Sequence, residues 1–227
     1  MAARAQLLLV LSIAACRAER DAVSTGTAND GAKRGSGAEV HEAKYALDAQ
    51  PRAMSTVECP KPALREFSGE ALRFSPPALV VEPFRRRLLE LEGVVRDAAL
   101  HVYGREPSTI LVAASYGCRS VNGKRLRLSE HAFGNAIDIS GFRFAPEPAG
   151  RLRAARLPAL QGAFEVRVRD HWRARGDEIV RAHAEFLLRL TQELLARDTF
   201  RTLLGPAHPG HADHFHFDMA PQHYVDL

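Results

Sequence analysis

The chain has 227 residues, 46% hydrophobic and 26% charged, which is ordinary globular composition with room for one domain and additions. Its formal net charge of +4 comes from 27 Arg and 4 Lys against 27 acidic residues, spread with no basic block; nucleic-acid binding is not expected, while an anionic polymer such as a cell wall suits the balance. No apolar run reaches the ~20 residues of a membrane span, which excludes a multi-span protein, and three Cys are too few for a disulfide-built scaffold.

In chain order, the first element is a targeting segment. Arg4 gives a positive start and Leu7 to Ala15 a short apolar stretch, the pattern of a signal peptide over residues 1–15. Ile13-Ala14-Ala15-Cys16 resembles a bacterial lipobox. On that reading Cys16 is acylated and anchors an exported lipoprotein. Position 17 is Arg rather than Asp, so the inner-membrane retention signal is missing and the expected location is the periplasm, at the outer membrane. The alternative is ordinary cleavage after small residues, with Cys16 incidental. Residues 16–55 lack the apolar density to offset ordering entropy and read as a flexible tether, with His41 a solvated side chain in it.

The folded unit is expected over 56–227. Phe84, Leu88, Leu91, Val95, Ala98 and Val102 fall at steps of four and three, one face of a helix that Gly104 ends. Residues 108–115 form an apolar, β-leaning run, and 135–144 alternate as a second strand. A Pro-, Ala- and Arg-rich excursion over 145–162 precedes a short strand at 164–169. A long amphipathic helix follows at 177–197, with Ile179, Phe186, Leu190 and Leu194 inward, and a last strand covers roughly 213–219. Trp172 reads as a packing anchor. The expected class is α+β, a small, mainly antiparallel sheet flanked by helices, with the functional site on a sheet face.

Five of the ten His lie in the last 20 residues. On a strand, residues two apart share a face, so His214 and His216 point together while Phe215 and Phe217 pack behind. Paired imidazoles are a natural start for a metal site. Upstream, Ser129-Glu-His-Ala-Phe-Gly-Asn-Ala-Ile-Asp138 offers His131, a Gly-bearing turn that Ser129 can brace, and Asp138. Spacing alone is weak: a His followed seven residues later by Asp occurs three times, once in the tether. The specific signal is S-x-H-x-x-G-x-A-x-D followed much later by H-x-D-H-x-H. His208 and His223 read as exposed loop residues, Tyr116 as core or cleft wall, and His211 as the competitor for a ligand role.

Ser115-Tyr-Gly-Cys-Arg119, Leu128 to Ile139 and His211 to Asp218 together resemble the bacterial extensin-like C-terminal domain family. That family is similar to D-alanyl-D-alanine carboxypeptidases, lysostaphin-type endopeptidases and the penicillin-insensitive murein endopeptidase. The resemblance implies Zn2+ on His131, Asp138 and His216. It implies His214 as the catalytic base, with Asp213 the second choice, and Arg119 on the substrate carbonyl or carboxylate; a structural salt bridge is the other reading of Arg119. Mixed His and carboxylate ligands suit an open catalytic site better than a closed structural one. Relatives commonly carry a further Cys that this chain lacks, which leaves Cys59 and Cys118 as a disulfide pair in an exported compartment, or else as two buried thiols. The expectation is an exported monomeric zinc peptidase-like domain acting on peptidoglycan stem peptides and touching membrane only through its anchor. The rival is a non-catalytic, zinc-containing wall-binding module.

Overall fold

A computed structural model describes residues 58–121, 124–147 and 158–227. The expected signal peptide, Cys16 and the tether lie outside the described residues, as does the middle of the 145–162 excursion.

Three short strands open the described residues: β1 (Leu64–Phe67), β2 (Arg73–Ser75) and β3 (Ala78–Val81), with β1 antiparallel to β3. The periodic stretch after them is helix α1, Glu82–Tyr103. Pro83 occupies its first turn, where a missing N–H has no intrahelical acceptor to lose. Gly104 ends it at φ 72°, donating to the Leu100 carbonyl at 3.0 Å. All six residues predicted to face inward are buried. Glu92 is buried beside them because its carboxylate has partners: the N–H groups of Glu70 and Ala71 donate to it at 2.8 and 2.6 Å.

Next come β4 (Thr109–Ala114), the hairpin of β5 (Ser120–Val121) and β6 (Lys124–Leu128), a 3-10 turn at Glu130–Phe133, and β7 (Ala136–Phe144). β8 (Phe164–Arg167) is shorter than expected, since the chain turns into the short helix α2 (Val168–His171). The second long helix, α3 (Glu178–Ala196), starts at Asp177, whose side chain accepts from the Val180 N–H at 2.9 Å. β9 (Thr202–Leu204), β10 (Phe215–Asp218) and β11 (Tyr224–Asp226) complete the chain.

The sheet is larger than the small one expected, while four of its six strand pairings are antiparallel, as expected. It is a mixed seven-stranded sheet in the order β11-β9-β10-β7-β4-β2, with β8 also on β7. Two pairings are parallel, β2 with β4 and β11 with β9. The helix α1 between β2 and β4 returns the chain to the same end of the sheet, and a helical crossover makes its strands parallel.

β7 is the axis. β4 lies along one edge, while β10 takes the first half of the other edge and β8 the second. A register shift opposite Leu111 and Val112 leaves Ser140 as an extra residue in β7. Alternation therefore resets, and Ile137, Ile139, Phe142 and Phe144 all enter the same core. There Phe142 meets Phe186 edge-on at 5.1 Å and Phe144 meets Tyr103 at 5.0 Å. Phe217 stacks on Phe200 at 5.1 Å, and Trp172 packs edge-on against Phe215 at 5.1 Å. α1 and α3 thus cover the face of the sheet that carries these aromatic residues.

Candidate metal centre

Asp138 of β7 and His216 of β10 are directly opposed partners in the ladder. Their neighbours Ile137, Ile139, Phe215 and Phe217 fill the core, so strand alternation turns Asp138 and His216 to the other face. His131 arrives from the 3-10 turn. Ser129 braces that turn, its hydroxyl accepting from the His131 N–H at 3.4 Å. Gly134 closes it at φ 66°. A Cβ there would lie 2.5 Å from Leu64 Cδ2 and 3.2 Å from the Val81 nitrogen, so the glycine is needed for conformation and for space.

Three donor atoms converge. His131 Nε2 lies 3.1 Å from Asp138 Oδ1 and 3.1 Å from His216 Nδ1, and the last two are 2.8 Å apart. All three residues are buried. Donors bound tetrahedrally at about 2.0–2.1 Å are separated by roughly 3.3 Å, so the triangle is close to the size of one face of such a site. The outer ring nitrogens are already committed: His131 Nδ1–H donates to the Ser115 carbonyl, and His216 Nε2–H donates to Asp218 Oδ2 at 2.8 Å. Metal-binding imidazoles are held in this way, with the outer N–H on a carbonyl or carboxylate and the inner lone pair presented. The group fits a metal ion, and two imidazoles with one carboxylate suit zinc and its first-row neighbours alike.

The electrostatics agree. Burial disfavours charge on Asp138, but hydrogen bonds from His131 and His216 outweigh it and hold the carboxyl well below the usual carboxylate range. Burial likewise disfavours charge on His216, yet the Asp138 and Asp218 carboxylates raise its pKa to about 9. A field that holds a proton between His216 and Asp138 also favours a cation there.

Arg119 Nη2 donates to Asp138 Oδ2 at 3.3 Å, while 47% of the Arg119 side chain remains exposed. His214 precedes β10 rather than lying in it, which corrects the expected strand start at 213. Its N–H donates to the His211 carbonyl at 3.4 Å in a turn. His214 still reaches the site, with Nε2 3.8 Å from Asp138 Oδ1. The turn also lets Asp213, which an ideal strand would aim away, accept from His214 Nδ1–H at 2.8 Å. The two candidate bases therefore stand in series, and the His214 hydrogen bond holds the Asp213 carboxyl below its ordinary value.

His211 borders the group, its ring 4.9 Å from His214 and 5.6 Å from His216. Burial, helped by neighbouring imidazoles against a hydrogen bond to the Pro209 carbonyl, lowers its pKa to about 4. It is not among the three converging residues. His208 is half-buried rather than exposed, because Asp226 Oδ2 pairs with its Nδ1 at 2.9 Å. His223 is exposed and Tyr116 half-buried. Cys59 and Cys118 are bonded to each other, which leaves no thiol for a metal among the described residues, and Cys59 packs against Leu128, Ala132 and Phe133 beneath the His131 turn. Sequence reasoning gave no role to Asp218 or to the Ser115 carbonyl. Asp218 had a signal, since it stands two residues from His216 and shares its strand face; the carbonyl had none.

These features define the class: an α+β domain with a buried His/Asp/His group that could hold a metal ion. Over residues 37–226 the chain matches the family model described as Extensin-like protein C-terminus, and it belongs to that family. Comparison with curated proteins and with solved structures finds no match. The disulfide is consistent with an exported protein. Among the described residues no helix is long and apolar enough to cross a membrane.

Proposed function

We propose that this chain is an exported, zinc-dependent peptidase-like domain that hydrolyses amide bonds in peptidoglycan stem peptides, held at the outer membrane through Cys16. The observation that carries the reading is a buried three-donor triangle flanked by an Asp213–His214 pair whose free ring nitrogen lies 3.8 Å from Asp138 Oδ1. The resemblance of the same segments to wall peptidases supports the substrate class.

A zinc ion on His131, Asp138 and His216 would polarise a carbonyl and bring the pKa of a water to about 7. Asp213 accepts from His214 Nδ1–H and so keeps the Nε2 lone pair directed at the triangle. From there Nε2 takes a proton from the attacking water and returns it to the leaving amine. Arg119 is tied to Asp138 through Nη2, and its other N–H groups are available to the carbonyl oxygen as charge develops, or to a substrate carboxylate. Asp218 and the Ser115 carbonyl hold the two imidazoles in orientation.

The Arg119–Asp138 ion pair favours a second reading, a zinc-containing module that binds wall without cleaving it, because the guanidinium already has a structural partner. Digestion of purified sacculi with the protein, with and without chelator, separates the two. New peptides that vanish with chelator are expected from the peptidase. Sacculus binding without products supports the module.

A further inference from the structure

The ligand His131 is held from one side by a loop with no core of its own. Residues 115–119, between β4 and β5, are half-buried or exposed, and none belongs to a hydrophobic cluster among the described residues. The loop nevertheless touches the site repeatedly. The Ser115 carbonyl accepts from His131 Nδ1–H, and the Gly117 N–H donates to the His131 carbonyl at 3.2 Å. The Arg119 carbonyl accepts from the Ser129 N–H at 3.0 Å, and the Arg119 side chain reaches Asp138. The start of the loop is tied down where Ser115 Oγ accepts from the Leu79 N–H at 3.0 Å. Further on, the covalent tie is Cys118, directly before Arg119, bonded to Cys59; Cys59 in turn packs under the His131 turn.

We infer that the Cys59–Cys118 disulfide is a redox-sensitive clamp on the metal centre. Oxidised, it assembles the side of the site formed by His131, Asp138 and Arg119. Reduced, it releases the loop that fixes the outer nitrogen of His131, and metal affinity falls. The inference rests on the metal-site reading above and adds its regulation. The electron donor is a dithiol: it gives up two electrons and two protons, the S–S bond breaks, two thiols form, and the donor closes to its own disulfide. Cys118 is exposed, so a donor thiolate has access from solvent. In a thiol-rich cytosol the chain then carries an open clamp and a weak site, and oxidation after export closes it.

The test is zinc affinity, by competition with a chromophoric chelator, on the oxidised protein, on protein reduced with a phosphine, and on Cys59→Ala/Cys118→Ala, with a far-UV spectrum of each. The oxidised form should bind zinc. The reduced form and the variant should bind about tenfold or more weakly with an unchanged spectrum, and reoxidation should restore affinity. Equal affinities in the oxidised and reduced forms overturn the clamp. Should the variant fail to fold, zinc release from the loaded oxidised protein after phosphine is followed beside the spectrum. Release ahead of spectral change supports the clamp; simultaneous loss makes the bond a global staple and overturns it. Absence of zinc binding by the oxidised protein removes the metal reading itself, before any reduction, and the clamp with it.

Discussion

His214 and His216 both face Asp138, but their ring nitrogens are engaged differently, and their losses should differ in kind. His216→Ala, His131→Ala and Asp138→Ala each remove a converging donor, so zinc content should fall on metal analysis and folding stability with it. His214→Ala should keep near-stoichiometric zinc and lose sacculus turnover by roughly 10²–10⁴, the span of general acid–base help. Arg119→Ala should keep zinc and lose rate. Asp218→Asn keeps the shape at His216 Nε2 but weakens the acceptor, and should lower zinc affinity by about 10–100-fold. Loss of zinc from His214→Ala with retention in His216→Ala would reverse the two roles. The raised pKa of His216 has a further consequence. In metal-free protein its contribution to stability is complete below the ordinary value of 6.5 and is lost as pH climbs through about 9. Tm of chelator-treated protein should therefore fall across that window, and His216→Ala should flatten the fall. Zinc displaces the same proton, so its affinity should rise over the same interval.

At the level of elements, the 3-10 turn carrying His131 depends on Gly134. Gly134→Ala forces a left-handed residue and a Cβ against Leu64 and the Val81 backbone. It should cost about 1–3 kcal/mol in urea unfolding and reduce zinc content through displacement of His131. A variant with full stability and full zinc would show that the turn tolerates the side chain. The helices and inner strands were legible because burial writes itself into local patterning: α1 and α3 carry a helical period, β4 a continuous apolar run and β7 a partial alternation. β1, β2, β3, β9 and β11 have three or four residues each, too few for any period, and exist because a neighbour pairs with them. His214 fits the alternation of β10, but a turn places it, so the strand begins only at Phe215.

For the whole molecule, the disulfide joins residues 59 apart in sequence, and closing such a loop contributes about 4 kcal/mol in a chain-entropy account. It links the start of the described chain to the loop beside the candidate metal centre. On the proposed reading, residence at the membrane rests on a different cysteine. Cys16→Ala should release the protein from membrane fractions or stop its maturation, as judged by fractionation and intact mass. Normal maturation with retained membrane association would mean that another feature anchors it.

The sequence by itself determined the α+β class, the two long helices and the central strands, because these depend on local patterning; the nomination of His131, Asp138 and His216 as a set came with the resemblance of their segments to a known family. Tertiary structure decided the rest. Asp138 and His216 are 78 residues apart, and only the β7–β10 register sets them side by side with Oδ1 and Nδ1 at 2.8 Å. The extra residue at Ser140 turns both halves of β7 into one core, which no alternation rule reads from the chain. The series Asp213–His214, the Arg119–Asp138 ion pair, and the hold of Asp218 and the Ser115 carbonyl on the imidazoles all depend on turns and ladders formed between distant segments. Such pairings are specified by the hydrogen-bonding needs of buried backbone and by the shape of the core, and these are properties of the folded molecule rather than of any window of sequence.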